Sequence, residues 1–265
     1  MLCRIVVLAA MLSLASACTY GQKAHLTGLD HPSGWADQIR ARAAEAYPYA
    51  QMSNNAYADG ERYHLGPAYS NPQNVPNDDV GFAYSVFERR EAGRLADVII
   101  AFRGTEGLVG RDMRKGNFLK LQNPRGLAVY DRIRAATAKS VPVHVTGHSL
   151  GGGIATYVSL RRPNLRSYIF NASPRFSAKG QIPDNPRLSI IERGELLKIF
   201  RGPAREAPQT YISINCTPGF NPVGQHGIRA LANCLTRIAA WEDSGARDSL
   251  RRNPSIKWPE GLPRD

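Results

Sequence analysis

The chain has little of what builds metal centres or long membrane spans. Only 4 of its 265 residues are Cys. None forms a Cys-x-x-Cys pair or joins a His cluster, which excludes a zinc ribbon or finger. No apolar run reaches the roughly 18 residues that a membrane-spanning helix needs. Internal repeats and short periods are missing, which rules out coiled-coil and collagen-like architectures. What is there is an ordinary globular composition, 43% hydrophobic and 21% charged. That is enough for one domain with a sizeable core, and it is incompatible with intrinsic disorder. The net charge of +12, carried far more by Arg than by Lys, favours anionic partners such as phospholipid headgroups or nucleic acid. Charge alone says nothing about fold.

The first 17 residues read as a secretory signal peptide: Arg4, an apolar stretch from Ile5 to Ala15, then small residues. Leu14-Ala15-Ser16-Ala17-Cys18 resembles the lipobox of bacterial lipoproteins, whose Cys carries the lipid. That resemblance implies a lipidated Cys18 and a membrane-anchored protein facing the periplasm or the cell exterior. A plain cleaved signal and a soluble secreted product is the alternative. Both place the mature chain in an oxidising compartment. With Cys3 removed and Cys18 lipidated, Cys216 and Cys234 are left to pair across about 18 residues, a bond worth about 3 kcal/mol in the chain-entropy model. Two unpaired core thiols are the other reading.

Residues 18–35 read as a linker, 36–242 as a single domain and 243–265 as a loosely ordered basic tail. Helix formers run from Ala36 to Ala46 and stop near Pro48; Ser53 to Asp79 is irregular. Alternation predicts a strand over Val80–Glu88, a turn over Glu91–Arg94 and a buried strand over Leu95–Phe102. A helix over Leu127–Lys139, a strand over Val141–Thr146 and a helix over Gly152–Arg161 follow. Short strands at Ser167–Phe170, Leu188–Ile191 and Tyr211–Ile214 precede a last helix, Ile228–Trp241. Strands alternating with helices predict an α/β fold with a mostly parallel central sheet and flanking helices.

The informative segment is Val143-His144-Val145-Thr146-Gly147-His148-Ser149-Leu150-Gly151-Gly152-Gly153. A β-branched strand enters Gly-x-Ser-x-Gly and a small-residue helix leaves it, which is the context of a nucleophile elbow. Gly147 and Gly151 let the helix start beside the strand, and Ser149 projects above the sheet edge. The N–H of Leu150 then faces the place where an oxyanion would develop, aided by the positive end of the helix.

Ile99-Ile100-Ala101-Phe102-Arg103-Gly104-Thr105 and the Gly-His-Ser-Leu-Gly-Gly elbow together resemble the class 3, or fungal-type, lipase family of the α/β-hydrolase superfamily. Phe170-Asn171-Ala172-Ser173-Pro174-Arg175 resembles the family's strand after the nucleophile helix. The resemblance runs from about Ala50 to Ala240. It implies an α/β-hydrolase fold, a second oxyanion donor at Thr105, and a lid over Glu106–Phe118 holding Asp112. The chemistry implied is a serine carboxylic-ester hydrolase of lipase, phospholipase or esterase type, with no cofactor and no metal.

A serine nucleophile needs a base and the base an orienting carboxylate, in chain order Ser, acid, His. His226 is the sole His after Ser149 and is the candidate base. Asp184, Glu192, Glu195 and Glu206 lie between them. Glu195, after Gly194 and before Leu196-Leu197, best resembles the family's acid position, with Glu192, Asp184 and Glu206 as alternatives. His148 reads as structural. The expected substrate is a lipid or other acyl ester at a membrane surface, and the basic charge tilts the choice towards anionic phospholipid. A catalytically silent envelope lipoprotein with a hydrolase fold is the competing class. A nucleic-acid binder is set aside for want of the aromatic-plus-basic motifs such domains carry.

Overall fold

The computed structural model describes residues 31–104, 117–173, 183–195, 209–219 and 221–264. The signal-peptide and lipobox calls, Cys18 included, lie outside them, as do Thr105 and Asp112. Seven strands form one sheet in sequential order: β1 Tyr69–Val75, β2 Tyr84–Glu91, β3 Arg94–Phe102, β4 Val143–His148, β5 Ser167–Phe170, β6 Arg187–Glu192 and β7 Thr210–Ile214. The pairs β1/β2 and β2/β3 are antiparallel, and β3 through β7 are parallel throughout. This is the mostly parallel central sheet of the α/β fold that the sequence predicts. The antiparallel part exists because β2 and β3 are joined by a two-residue hairpin. Ala92 and Gly93 both take positive φ, 47° and 78°, the pairing that suits the strand twist.

Helices cover both faces. α2 (Asn117–Ala136) and α3 (Leu150–Ser159) lie on one, where Val129, Tyr130, Ile154 and Val158 pack on Val98, Ile100, Phe102, Val143 and Val145. α1 (Asp37–Asn55) and α5 (Ile228–Ala239) lie on the other, where Ile39, Ala43, Ala50, Leu231, Leu235 and Ile238 pack on Tyr168, Phe170, Leu188 and Ile190. The alternate residues of β3, Ile99 and Ala101, pack with Met52 and Phe87. A strand covered on both faces must be apolar at every position, so Val98–Phe102 is a continuous apolar run. The short α4 (Pro222–His226) and α6 (Ser244–Arg252) complete the fold.

Four elements differ from the sequence expectation. α1 continues through Pro48 to Asn55. Buried residues on both sides of the proline, Ala43 and Ala46 before it and Ala50 and Met52 after it, outweigh the roughly 3 kcal/mol an interior proline costs. β1 lies in the stretch read as irregular: it is an exposed edge strand, where Pro72 and a register shift between Ser70 and Gln73 are tolerated. α2 begins at Asn117, ten residues before the apolar spacing becomes regular, and contains Pro124. The tail is not loose over its described part. Asp243 caps α6 by accepting from the Ala246 N–H at 2.7 Å, and Leu250, Ile256 and Leu262 are buried in the α1/α5 core. These apolar residues are too widely spaced among charges and prolines to show as a pattern.

Candidate active site

The carboxyl ends of β3 to β7 all open on one edge of the sheet, where the loops leave. At the end of β4 the chain turns into α3 through Ser149, which takes φ 55° and ψ −122°. A positive φ at a non-glycine residue is held only where its surroundings over-determine it. Here the Ser149 N–H donates to the Phe170 carbonyl at 3.0 Å, and the Ser149 carbonyl accepts from Ser173 N–H at 2.8 Å and Gly153 N–H at 3.2 Å. A Cβ at Gly147 would stand 2.4 Å from the Gly151 carbonyl, and one at Gly151 would stand 2.0 Å from the Phe102 carbonyl. Neither obstacle is a movable side chain, so both positions require glycine. Gly104 is as tight: a Cβ there would lie 2.7 Å from the His148 carbonyl and 3.1 Å from Ser149 Cβ. The end of β3 is thereby pressed against the elbow. Leu150 opens α3, with the unpaired N–H groups of a first helical turn and its dipole beside Ser149.

His226 is the last residue of α4, whose start is set by Asn221 accepting from Gly224 N–H at 3.0 Å and by Pro222 at the first helical position. Its Nε2 lies 3.0 Å from Ser149 Oγ and its Nδ1 lies 2.8 Å from Glu195 Oε2. With Nδ1–H donating to the carboxylate, Nε2 is left to accept the serine proton. Glu195 reaches this place through a type II turn. Glu195 N–H donates to the Glu192 carbonyl at 3.4 Å, and Gly194 carries the positive φ, 89°, which that turn demands. The His226 and Glu195 side chains are 3% and 0% exposed, so water competes for neither bond.

A second layer fixes the backbone of His226. Its carbonyl accepts from His148 Nε2–H at 2.6 Å and from Asn171 Nδ2 at 3.1 Å. His148 Nδ1 in turn accepts from the Tyr57 hydroxyl at 2.7 Å, which sets its tautomer. Gln225 Nε2 donates to the carbonyls of Thr217 and Gly219, each at 2.8 Å. Cys216 and Cys234 are disulfide-bonded, with Cα atoms 5.8 Å apart, tying the loop after β7 to α5.

The structure therefore brings together Ser149, His226, Glu195, Leu150, Gly147 and Gly151, and it joins Cys216 to Cys234. Thr105, Glu206 and Cys18 lie outside the described residues. Asp184 is exposed and precedes β6, at the opposite end of the strand from Ser149. Glu192 is buried, and both of its oxygens accept backbone amides rather than a histidine. Tyr57, Asn171 and Gln225 went unseen in the sequence. Asn171 lies in the segment that resembles the family's strand after the nucleophile helix and Gln225 directly precedes the candidate base, but nothing local marks Tyr57. Among the described residues no cluster of His, Cys, Asp or Glu could hold a metal ion, and no helix is long and apolar enough to cross a membrane.

No protein-family model matches the chain, and no curated protein matches it. Solved structures do resemble its fold. A triacylglycerol lipase from Penicillium expansum is 13% identical, over 67% of this chain and 81% of that one, with a TM-score of 0.46. A lipase from Rhizopus microsporus var. chinensis is 15% identical over 64% and 71%, with a TM-score of 0.45. A Rhizomucor miehei lipase–propeptide complex is 17% identical over 64% and 65%, with a TM-score of 0.41. These are the kind of fold neighbours the sequence resemblance named. Likeness at this level says nothing about the reaction, which must be argued from the site.

Proposed function

We propose that the chain is a serine ester hydrolase acting on lipid or other acyl esters through an acyl-enzyme. The observation that supports this most is the unbroken line of hydrogen bonds from Ser149 through His226 to Glu195 at a strained elbow. Ser149 Oγ attacks the ester carbonyl as His226 Nε2 takes its proton, and the carbonyl oxygen becomes an oxyanion facing the Leu150 N–H. Thr105 is proposed as the second donor. The imidazolium, steadied by Glu195, returns the proton to the leaving alcohol, so an ester bond breaks as the acyl–serine bond forms. Water then reverses the sequence with His226 as base and releases the acid. Nothing in these steps calls for a cofactor.

We further propose that the mature chain is exported and held at a membrane by lipid on Cys18. The disulfide fits an oxidising compartment, and the net charge of +12 fits an anionic lipid surface.

Labelling with a fluorophosphonate tests the chemistry. Wild type should take one equivalent and Ser149→Ala none, with turnover of p-nitrophenyl esters lost in the same variant. A Ser149→Ala protein that still turns over would end the assignment, whereas an unlabelled, inactive wild type would favour the silent binding module. Running phospholipids beside the p-nitrophenyl esters reads the substrate class. Cys18→Ser should move the protein from the membrane to the soluble fraction; equal partition of both forms would remove the anchor.

A further inference from the structure

Glu192 is an expensive side chain to keep. It ends β6, is 1% exposed, and burial pushes its carboxyl above the usual carboxylate range, against the pull of two amide hydrogen bonds. No cation pairs with it among the described residues. Its whole output is directed at one loop: Oε1 accepts from Thr217 N–H at 2.8 Å and Oε2 from Cys216 N–H at 3.1 Å.

Glu192 reaches the proposed base, His226, by two routes, one from its side chain through that loop and one from its main chain. Gln225, the residue before His226, donates its side-chain amide to the Thr217 and Gly219 carbonyls. The Glu192 main-chain N–H donates at 2.8 Å to Asn171 Oδ1, and Asn171 Nδ2 donates to the carbonyls of Gln225 and His226 at 3.2 and 3.1 Å. Glu192 thus grips the chain at Gln225 and at the His226 carbonyl without itself touching Ser149, His226 or substrate. A carboxylate suits the place because two N–H groups converge on it and both need acceptors. An amide would offer one acceptor and turn its own N–H₂ towards the other donor.

We infer that Glu192 is a positioning residue for the ester hydrolysis proposed above: its carboxylate holds the Cys216–Thr217 loop so that Gln225 keeps His226 in line with Ser149 Oγ. The inference rests on that reading of the site. Because an error of about 1 Å at reacting groups costs on the order of 100-fold in rate, the effect belongs in kcat, not in substrate binding.

The test uses the full-length chain with Glu192→Gln, Gln225→Met and the double variant. Glu192→Gln should lower kcat about 10- to 100-fold and slow fluorophosphonate labelling in parallel, with KM within about twofold of wild type. Gln225→Met cuts the same connection at its far end and should give the same split. The double variant should be little worse than the more damaged single, since both act along one connection. A folded Glu192→Gln enzyme with wild-type kcat overturns the inference, and so do fully multiplicative losses in the double variant. Should Glu192→Gln fail to fold, Gln225→Met decides alone: an unchanged kcat there overturns it. A wild type that takes no label sinks the hydrolase reading, and this inference falls with it.

Discussion

The elbow around Ser149 and the loops around His226 hold the two halves of the site by opposite means. The serine is placed by covalent geometry over five residues, two of them glycines that cannot carry a Cβ, and one strained φ. The histidine is placed by side chains from far along the chain: Tyr57 on the segment after α1, His148 on β4, Asn171 after β5, Glu192 on β6 and the disulfide to α5. A local device is all-or-none, because nothing nearby can move to relieve it. A distributed one loses its parts singly and degrades in steps.

The largest effect should therefore come from Gly151→Ala. The new methyl would meet the Phe102 main chain at 2.0 Å, so either β3 or the elbow must shift. Loss of all measurable turnover is expected, with destabilisation of at least about 3 kcal/mol by chemical denaturation, the range of overpacking against an unyielding neighbour. A Gly151→Ala enzyme keeping a tenth of its activity would show that the elbow is less rigid than its geometry.

The same contrast explains what could be read from the sequence. Ser149, Gly147 and Gly151 stand within five residues and declare themselves as a motif. β3, β4 and α3 were legible because strands buried on both faces need unbroken apolar runs. His226 is the candidate base by elimination and Glu195 the candidate acid by its resemblance to the family's acid position; the glycine before Glu195 carries the turn's positive φ, 89°. Asn171 and Tyr57 were invisible, since a hydrogen bond spanning 54 or 91 positions leaves no periodic trace, and the bonds of Gln225, over 8 and 6 positions, follow no helix or strand spacing. β1 and α6 were missed for a related reason: an edge strand with a proline and a helix carrying few apolar residues get their stability from what they pack on.

Glu195→Gln comes next in size. In the mechanism proposed, the carboxylate 2.8 Å from His226 Nδ1 keeps the proton there and steadies the imidazolium, and an amide does neither well. A fall in kcat of about 10² to 10⁴ is expected, with KM nearly unchanged. Compared with Glu192→Gln in one assay, Glu195→Gln should be the slower enzyme by at least about tenfold. The reverse order would exchange the roles of the two carboxylates.

Removing the disulfide is milder. Cys216→Ser with Cys234→Ser, or reduction of the wild type, should cost about 3 kcal/mol of stability for a loop of 18 residues. Activity well below the melting transition should fall about tenfold or less, because Glu192 and Gln225 still grip the same loop. A loss as large as that of Glu195→Gln would mean the bond, and not the hydrogen bonds, places His226.

The smallest effect separates two histidines on one strand. His148, at the carboxyl end of β4, has both ring nitrogens engaged at the site. His144, four residues earlier, lies towards the other end of the strand, where its Nδ1 accepts from Arg166 N–H at 3.2 Å. Burial lowers the His144 pKa, and the charges of Arg166 and Arg89 add to that against the opposing pull of Asp97. A histidine depressed in the folded state is more readily protonated when unfolded. Its contribution is thus complete above the ordinary value of about 6.5 and is lost as pH falls through the folded one. Urea unfolding of His144→Gln and wild type between about pH 7 and pH 5 should show a shallower loss of stability in the variant, by about 1 kcal/mol or less across that window. The acid limb of kcat/KM should stay where it is, because His144 lies towards the end of β4 away from Ser149. Were that limb to move with His144→Gln, the two ends of β4 would be coupled, and the division between a local elbow and a distributed clamp would have to be redrawn to include the strand that joins them.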